Sequence, residues 1–386
     1  MKTEIIRIFI ALALLSAFTA RSEEWKLAGK SGKKDIVLVS PQEGELVSLV
    51  NDKLKAYFAL PRSEREILFT NAQFRTEMSR WEYVDKPVKL RWLWCGHYNP
   101  MLKVEVFNES GKCVFTTKTA APFTEVYNLE IGRTYRWRVS GDEALRAEPI
   151  EGSFRTANDA PRALRFSHIY NCRDLGGRKG LNGRRVKQGL VYRSGGLNDN
   201  AITFERPEIE WKPGEIRLTE AEKAEFLAFT GLKTEIDLRN ERECFGMTGS
   251  PLGPSVRWVE CSSWAYGELG EEKGKIAFAP VFRLFLDAKN YPIDFHCITG
   301  ADRTGTVAFI INALLGVDLE ELYRDWEATA VYSTRMDFYH SRRLDKFVAV
   351  VNAYPGETLA DKTAAFVKDC GFTDEDIAFV RDFLLE

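Results

Sequence analysis

A cysteine and an arginine six positions apart hold the chemistry of this chain. The segment reads His296-Cys297-Ile298-Thr299-Gly300-Ala301-Asp302-Arg303-Thr304-Gly305. A short apolar strand pattern ends at His296, and an apolar helical pattern begins near Thr304. A tight loop between a strand and a helix turns successive backbone N–H groups inward. With the helix N-terminus they form an anion cradle. Ile298, Thr299, Gly300, Ala301, Asp302, Arg303 and Thr304 are the expected phosphate-binding set. A cysteine at the base of such a cradle feels the same field, which favours its thiolate and lowers its pKa to roughly 3.5–7.5. Arg303 offers a planar fork to two phosphoryl oxygens. Gly300 lets the loop turn without a Cβ clash. A thiolate held below a phosphate cradle is equipment for a covalent phosphocysteine step.

The neighbours of Cys297 have two readings each. His296 either orients the loop and favours the thiolate, or is a strand-end histidine packed for structure. Protonation of a leaving group needs an acid. Asp302, inside the loop, is the first candidate; the alternative is a carboxylate that pairs with an arginine or caps the following helix. Asp237, at the end of a strand expected near the loop, is the second; the alternative is a salt bridge with Arg239 or Arg173.

The elements that must position these residues fill the second part of the chain. After Asn158-Asp159-Ala160-Pro161, apolar runs alternate with helical periods, which predicts an α/β domain over 160–386 with a central sheet flanked by helices. Strands are expected at Leu190–Arg193, Thr234–Leu238, Val256–Val259 and Ile293–His296. Thr219 with Glu222, and Thr373 with Asp376, read as helix-opening capping signals, and Gly231 as a stop. From 35 to 157 the pattern differs. Leu90, Trp92 and Trp94 alternate with Lys89, Arg91 and Leu93, and Tyr135, Trp137 and Val139 alternate with Arg136 and Arg138. Period-two alternation between turn signals predicts a small all-β sandwich. Arg62 to Arg75 fits that pattern poorly and reads as a short helix or an inserted loop. No constellation there is catalytic, so scaffolding or docking of a protein partner is its expected role.

The His296-Cys297-(x)2-Gly300-(x)2-Arg303-Thr304-Gly305 pattern resembles the phosphate loop of the cysteine-based protein tyrosine phosphatase superfamily. Six specified positions at about 5% each put a chance match on the order of 10⁻⁸ per start. Asn171-Cys172-Arg173-Asp174-Leu175-Gly176-Gly177, Tyr192-Arg193-Ser194-Gly195 and Ile236-Asp237-Leu238-Arg239 with Glu241 and Glu243 follow in the order of a bacterial branch of atypical tyrosine and dual-specificity phosphatases. The resemblance covers about 160–386 and implies a tyrosine-phosphatase fold. The 35–157 segment resembles, in its general strand pattern, a fibronectin type III or immunoglobulin-like domain.

Two departures from the family pattern stand out. Lipid-acting relatives carry lysine where this chain has Ala301. Cys172 occupies a usually apolar position, as a core cysteine or as a resolving thiol for Cys297. The Trp-Pro-Asp loop of larger relatives is absent, and Trp211 to Glu215 is a superficial echo of it. Arg173, Asp174, Arg193 and Arg239 either brace the cradle or touch substrate. Trp264 and Tyr266 are candidates to stack on a phosphotyrosine ring.

Composition narrows the setting. The chain has 386 residues, 45% hydrophobic and 28% charged, which excludes a disordered or low-complexity protein. Its formal charge of -2 gives nucleic acid no basic partner surface. Four histidines make a multi-histidine metal site unexpected, and no cofactor is called for. Residues 1–22 have a basic start, an apolar run of less than bilayer length and small residues before position 23, the layout of a signal peptide. The expectation is an exported periplasmic or secreted protein without a stable membrane span. Three functional readings follow: a phosphatase on phosphotyrosine proteins or other small phosphomonoesters; a phosphatase on inositol phosphates or phosphoinositides; and a phosphate-binding module with little turnover. A sulfur-transfer enzyme fits the loop poorly.

Overall fold

The structure, a computed structural model, describes residues 36–386 apart from 72–73, 75–85, 96–98, 143–144, 146, 199–217, 245 and 333–342. The expected leader at 1–22 and the stretch from Trp211 to Glu215 lie outside the described residues. The chain divides into two compact units. One takes residues up to 47, 87–126 and 133–157; the other takes 48–86, 127–132 and 158–386.

The first unit is built of strands. Its three-stranded sheet has β1 (Ile36–Ser40), β3 (Val88–Trp94) and β6 (Phe123–Val126) in that order. Its five-stranded sheet runs β2 (Glu45–Val47), β8 (Ile150–Thr156), β7 (Thr134–Ser140), β4 (Leu102–Phe107), β5 (Cys113–Thr119). Alternation does what the sequence reading requires. Val88, Leu90 and Trp92 are buried while Lys89 and Arg91 are exposed, and Tyr135, Trp137 and Val139 point inward. β4 departs from it, because Glu105 is also buried and is held by Lys103 and Arg138 at 2.6 and 2.7 Å.

The second unit contains a six-stranded sheet of order β13-β12-β14-β11-β10-β9. Its strands are β9 (Arg162–Ala163), β10 (Arg173–Asp174), β11 (Val191–Ser194), β12 (Thr234–Asp237), β13 (Arg257–Glu260) and β14 (Ile293–His296). β13, β12, β14 and β11 are parallel, whereas β10 pairs antiparallel with both β11 and β9. β14 lies between β12 and β11 and is buried at every residue. The helix Asp302–Leu314 leaves it and is buried at every position from Thr304 to Leu314. Both capping boxes form, on Thr219 and on Thr373, and Gly231 ends the first of these helices at φ 61°.

The chain passes from the first unit to the second between 157 and 158, but two earlier stretches, 48–86 and 127–132, also belong to the second unit. Helices Asp52–Ala59 and Arg62–Thr70 belong to the second unit, where Leu54, Tyr57 and Phe58 join its hydrophobic core. Arg65 is fully buried there. Its Nε donates to Glu327 at 2.7 Å and its Nη2 lies 2.6 Å from Glu320. The partner carboxylate stands more than 250 positions away in sequence, so no local pattern announces it. Removing one member of a buried ion pair costs about 3–5 kcal/mol, because the other charge stays buried without it. Arg65→Ala is therefore expected to lower stability by about that amount, read as a shift of the urea midpoint. An unchanged midpoint would contradict this placement of the helix.

Candidate active site

The parallel strands end at one edge of the sheet, and the loop 297–301 leaves β14 there. Four of its carbonyls are tied down from outside the loop. Cys297 O lies 3.1 Å from His296 Nδ1. Ile298 O accepts from Gly196 N–H at 2.8 Å, Thr299 O from Asn171 Nδ2 at 2.9 Å and Gly300 O from Arg193 Nη2 at 2.6 Å. In a planar trans peptide the next N–H points opposite to the carbonyl. Fixing these four carbonyls outward therefore aims the N–H groups of Ile298, Thr299, Gly300 and Ala301 the other way, as a cradle. Gly300 sits at φ +68°, and a Cβ there would lie 2.4 Å from Ser194 O. Only glycine fits that turn.

Cys297 lies at the base of the loop, 3% exposed. Burial pushes its thiol up. The Arg303 charge and the nearby Thr304 hydroxyl and backbone N–H outweigh that, so the thiol sits below its ordinary value. The Thr304 hydroxyl is buried and has no oxygen or nitrogen partner among the described residues.

Arg303 is held by a residue whose role the motif alone did not assign. Glu243, from the short helix Glu241–Cys244 after β12, receives Nη1 at 2.6 Å and Nη2 at 2.8 Å. Nη1 also donates to Leu238 O at 3.2 Å. A guanidinium has five N–H donors in a rigid fork. Among the described residues Glu243 takes two and Leu238 one, which leaves Nε–H and the second Nη2–H, side by side on one edge. Two adjacent donors in one plane are what a bidentate grip on phosphoryl oxygens needs. Desolvation would raise the Glu243 carboxyl, but the bonds from Arg303 hold it below its ordinary value.

His296, Glu235, Asp237 and Asp294 lie in a fully buried layer beneath the loop. His296 Nε2 is 2.9 Å from Glu235 Oε1, and its Nδ1 is 3.9 Å from Asp237 Oδ1. Burial opposes the charged ring, yet Asp237 and Glu235 push the His296 pKa up to about 9. Asp237 is gripped by Arg239 through Nε at 2.8 Å and Nη2 at 2.6 Å. Burial would raise its carboxyl, but His296 and Arg239 hold it well below the usual carboxylate range. Of the two readings of Asp237, the structure forms the salt bridge with Arg239, which engages both its oxygens. Glu235, Asp237 and His296 also have the spacing of metal ligands. Arg239 already supplies positive charge to Asp237.

Asp302 opens the helix Asp302–Leu314 and is partly exposed, with Arg343 Nη1 at 3.4 Å. Tyr266 stands against it. Its hydroxyl accepts from Trp326 Nε1 at 3.0 Å and interacts with the Asp302 carboxylate. Its N–H donates to Thr306 Oγ1 at 3.0 Å, and its φ is +52°. Tyr266 is buried, so it anchors the loop from within, while Trp264 is 39% exposed with Lys273 Nζ 4.5 Å from its ring centroid.

Of the arginines singled out by the sequence, Arg193 braces the loop through Gly300 O. Asp325, from the helix Leu319–Tyr332, meets Arg193 at 2.5 Å, Arg178 at 2.9 Å and Arg173 at 3.5 Å. Asp174 binds Arg162 at 2.6 Å and accepts from Gly176 and Gly189 N–H. Cys172 packs with Leu164, Ile169, Tyr192 and Phe226, a hydrophobic cluster separate from the one that contains Cys297. Asp325, Glu235 and the function of Glu243 escaped the sequence reading. Glu243 alone had a signal, its place four residues after Arg239 in a motif already singled out.

Comparison with known proteins agrees with this geometry. A model described as the tyrosine phosphatase family matches residues 164–203 and 214–386, more than half of the chain. A protein of Cupriavidus necator, whose name assigns it provisionally to the tyrosine-protein phosphatases, is 30% identical over 189 residues. That match takes in 42% of this chain and 61% of the relative's length. The solved core catalytic domain of the PP-IP phosphatase SIW14 from S. cerevisiae, in complex with citrate, is 15% identical; the match covers 42% of this chain and 86% of that one at a TM-score of 0.24. At that score the superposition supports no inference. With its phosphate loop intact and most of its second unit matched, the chain belongs to the tyrosine phosphatase family.

Proposed function

We propose that the chain is a phosphomonoester hydrolase that works through a phosphocysteine at Cys297, with phosphotyrosine in proteins as its substrate class. The observation that carries the reading is the edge of Arg303 left open above a buried thiol of lowered pKa. In the first step Cys297 Sγ attacks phosphorus and the P–O bond to the leaving group breaks. Arg303 and the loop N–H groups hold the equatorial oxygens, where transition-state charge collects. Asp302 gives its proton to the leaving oxygen. In the second step water attacks the phosphocysteine, Asp302 takes back a proton, and Thr304 Oγ1 stabilises the departing thiolate. Ala301 supports a singly phosphorylated substrate, since the cradle lacks a second cation at that position for a polyanion. The layout of residues 1–22 supports export, and the alternating strands of the first unit support a fibronectin-like docking module.

Phosphate release by the full chain from a phosphotyrosine peptide, a phosphoserine peptide, inositol hexakisphosphate and phosphoinositide vesicles tests the reading, with Cys297→Ser as control. Release from the phosphotyrosine peptide, abolished in the variant, is expected. Preference for an inositol phosphate would replace the substrate class. Tight vanadate binding without turnover of any substrate would leave a binding module.

Two substitutions test the assigned roles. Asp302→Asn should slow alkyl phosphates more than aryl phosphates, because an aryl oxide leaves without a proton; equal loss on both would reject Asp302 as the donor. Glu243→Gln removes the charge that orients Arg303. A charge-assisted hydrogen bond contributes about 1.5–3 kcal/mol, so kcat/KM should fall roughly ten- to hundred-fold. A wild-type value would show that Arg303 needs no such hold.

A further inference from the structure

We propose that Tyr266 is a positioning residue of this reaction: its buried hydroxyl, set in place by Trp326 and by a strained backbone, aims the Asp302 carboxyl at the leaving oxygen. The inference rests on the reading of Asp302 as the proton donor, and it names what directs that donor.

Asp302 is the first residue of its helix and is partly exposed. A carboxyl in such a place samples several rotamers unless a neighbour fixes it. Two groups reach it. Arg343 Nη1 stands 3.4 Å away, but that side chain is more than half exposed, and an exposed ion pair is a weak constraint. Tyr266 is buried. The indole N–H of Trp326 only donates, and it meets the Tyr266 oxygen at 3.0 Å. That bond occupies a lone pair of the phenol and turns its O–H away from the indole. The Asp302 carboxyl accepts the O–H. Burial and the Asp302 charge push the phenol well above its ordinary value, so it keeps its hydrogen near neutral pH. One oxygen of Asp302 is therefore taken by the phenol whether the carboxyl is ionised or not. The other oxygen is left to give its proton in the first step and take one back in the second.

The main chain of Tyr266 is tied to the same residue. Its N–H donates to Thr306 Oγ1 at 3.0 Å, and the Thr306 hydroxyl donates to Asp302 O at 2.9 Å. Tyr266 thus meets Asp302 through its ring at the carboxyl and through one threonine at the carbonyl. Its φ of +52° lies in the left-handed region, which bulky side chains rarely enter. Strain of that kind persists where surrounding bonds over-determine the conformation, and it gathers at functional sites. Trp326 follows Asp325 on the helix Leu319–Tyr332, and Asp325 holds Arg193, which in turn holds Gly300 O. Adjacent residues of one helix therefore serve the loop 297–301 and the proton donor.

Tyr266→Phe keeps the ring and removes the hydroxyl. It is compared with Asp302→Asn, singly and together, by kcat/KM on an alkyl and an aryl phosphate. Tyr266→Phe is expected to slow the alkyl phosphate roughly tenfold and the aryl phosphate little, and to add nothing in the Asp302→Asn background. A merely structural role would slow both phosphates alike. Equal loss on both, or losses that multiply in the double variant, would overturn the proposal and leave Asp302 standing as the donor. An Asp302→Asn chain that treats the two phosphates alike would overturn the donor reading, and this proposal with it. Should Tyr266→Phe not fold, a crystal structure of the wild-type chain with vanadate still decides. One Asp302 oxygen on the Tyr266 hydroxyl and the other on vanadate is the result required. A carboxyl turned away from either would overturn the proposal.

Discussion

A single buried carboxylate facing three buried guanidiniums holds the catalytic unit in shape. Asp325 collects Arg173 from β10, Arg193 from β11 and Arg178 from the loop between them. Burial alone would raise its carboxyl, but the three arginines hold it well below the usual range. Such a cluster is costly to desolvate, so it is not a cheap source of stability. Its value lies in where it puts the next bond. Arg193 has one arm on Asp325 and the other on Gly300 O, so the loop 297–301 is fixed from a helix at the far side of the cluster. The curvature of the cradle follows from that bond, from its three companions on neighbouring carbonyls, and from a glycine that alone fits beneath Ser194.

Two further charge layers sit on this frame. Below the loop, Glu235, Asp237, His296 and Arg239 balance one another without solvent. At its mouth, Glu243 fixes one edge of Arg303 and leaves the other to a ligand. The two carboxylates act in opposite settings. Glu235 is fully buried and acts on a ring behind the nucleophile, whereas Glu243 is partly exposed and acts on the cation in front of it. Cys297 thus lies between the His296 ring held by Glu235 and the Arg303 guanidinium held by Glu243.

Much of this was legible in the chain because it is local. The strand before Cys297, the helix after it, Gly300 and the two capping boxes are patterns of a few residues, and each appears where its pattern stands. The elements that escaped are long-range. Asp325 and Glu327 look like ordinary polar positions on an amphipathic helix, and only the fold brings Arg193 and Arg65 to them. The helices at 52–70 interrupt a β pattern in sequence but pack with the α/β unit, since their burial partners lie far downstream. Asp237 had two readings in the sequence, and its neighbour two residues on, Arg239, takes it as the salt-bridge partner.

The central claim is that Cys297 carries the phosphoryl group between two half-reactions. Its most direct test is rapid acid quench of the enzyme with a ³²P-labelled phosphotyrosine peptide, followed by peptide mapping. The account predicts an acid-stable label on the peptide containing Cys297, formed and lost at rates that match turnover. Release of labelled phosphate with no label on Cys297 at any quench time, or a label on another residue, would contradict it.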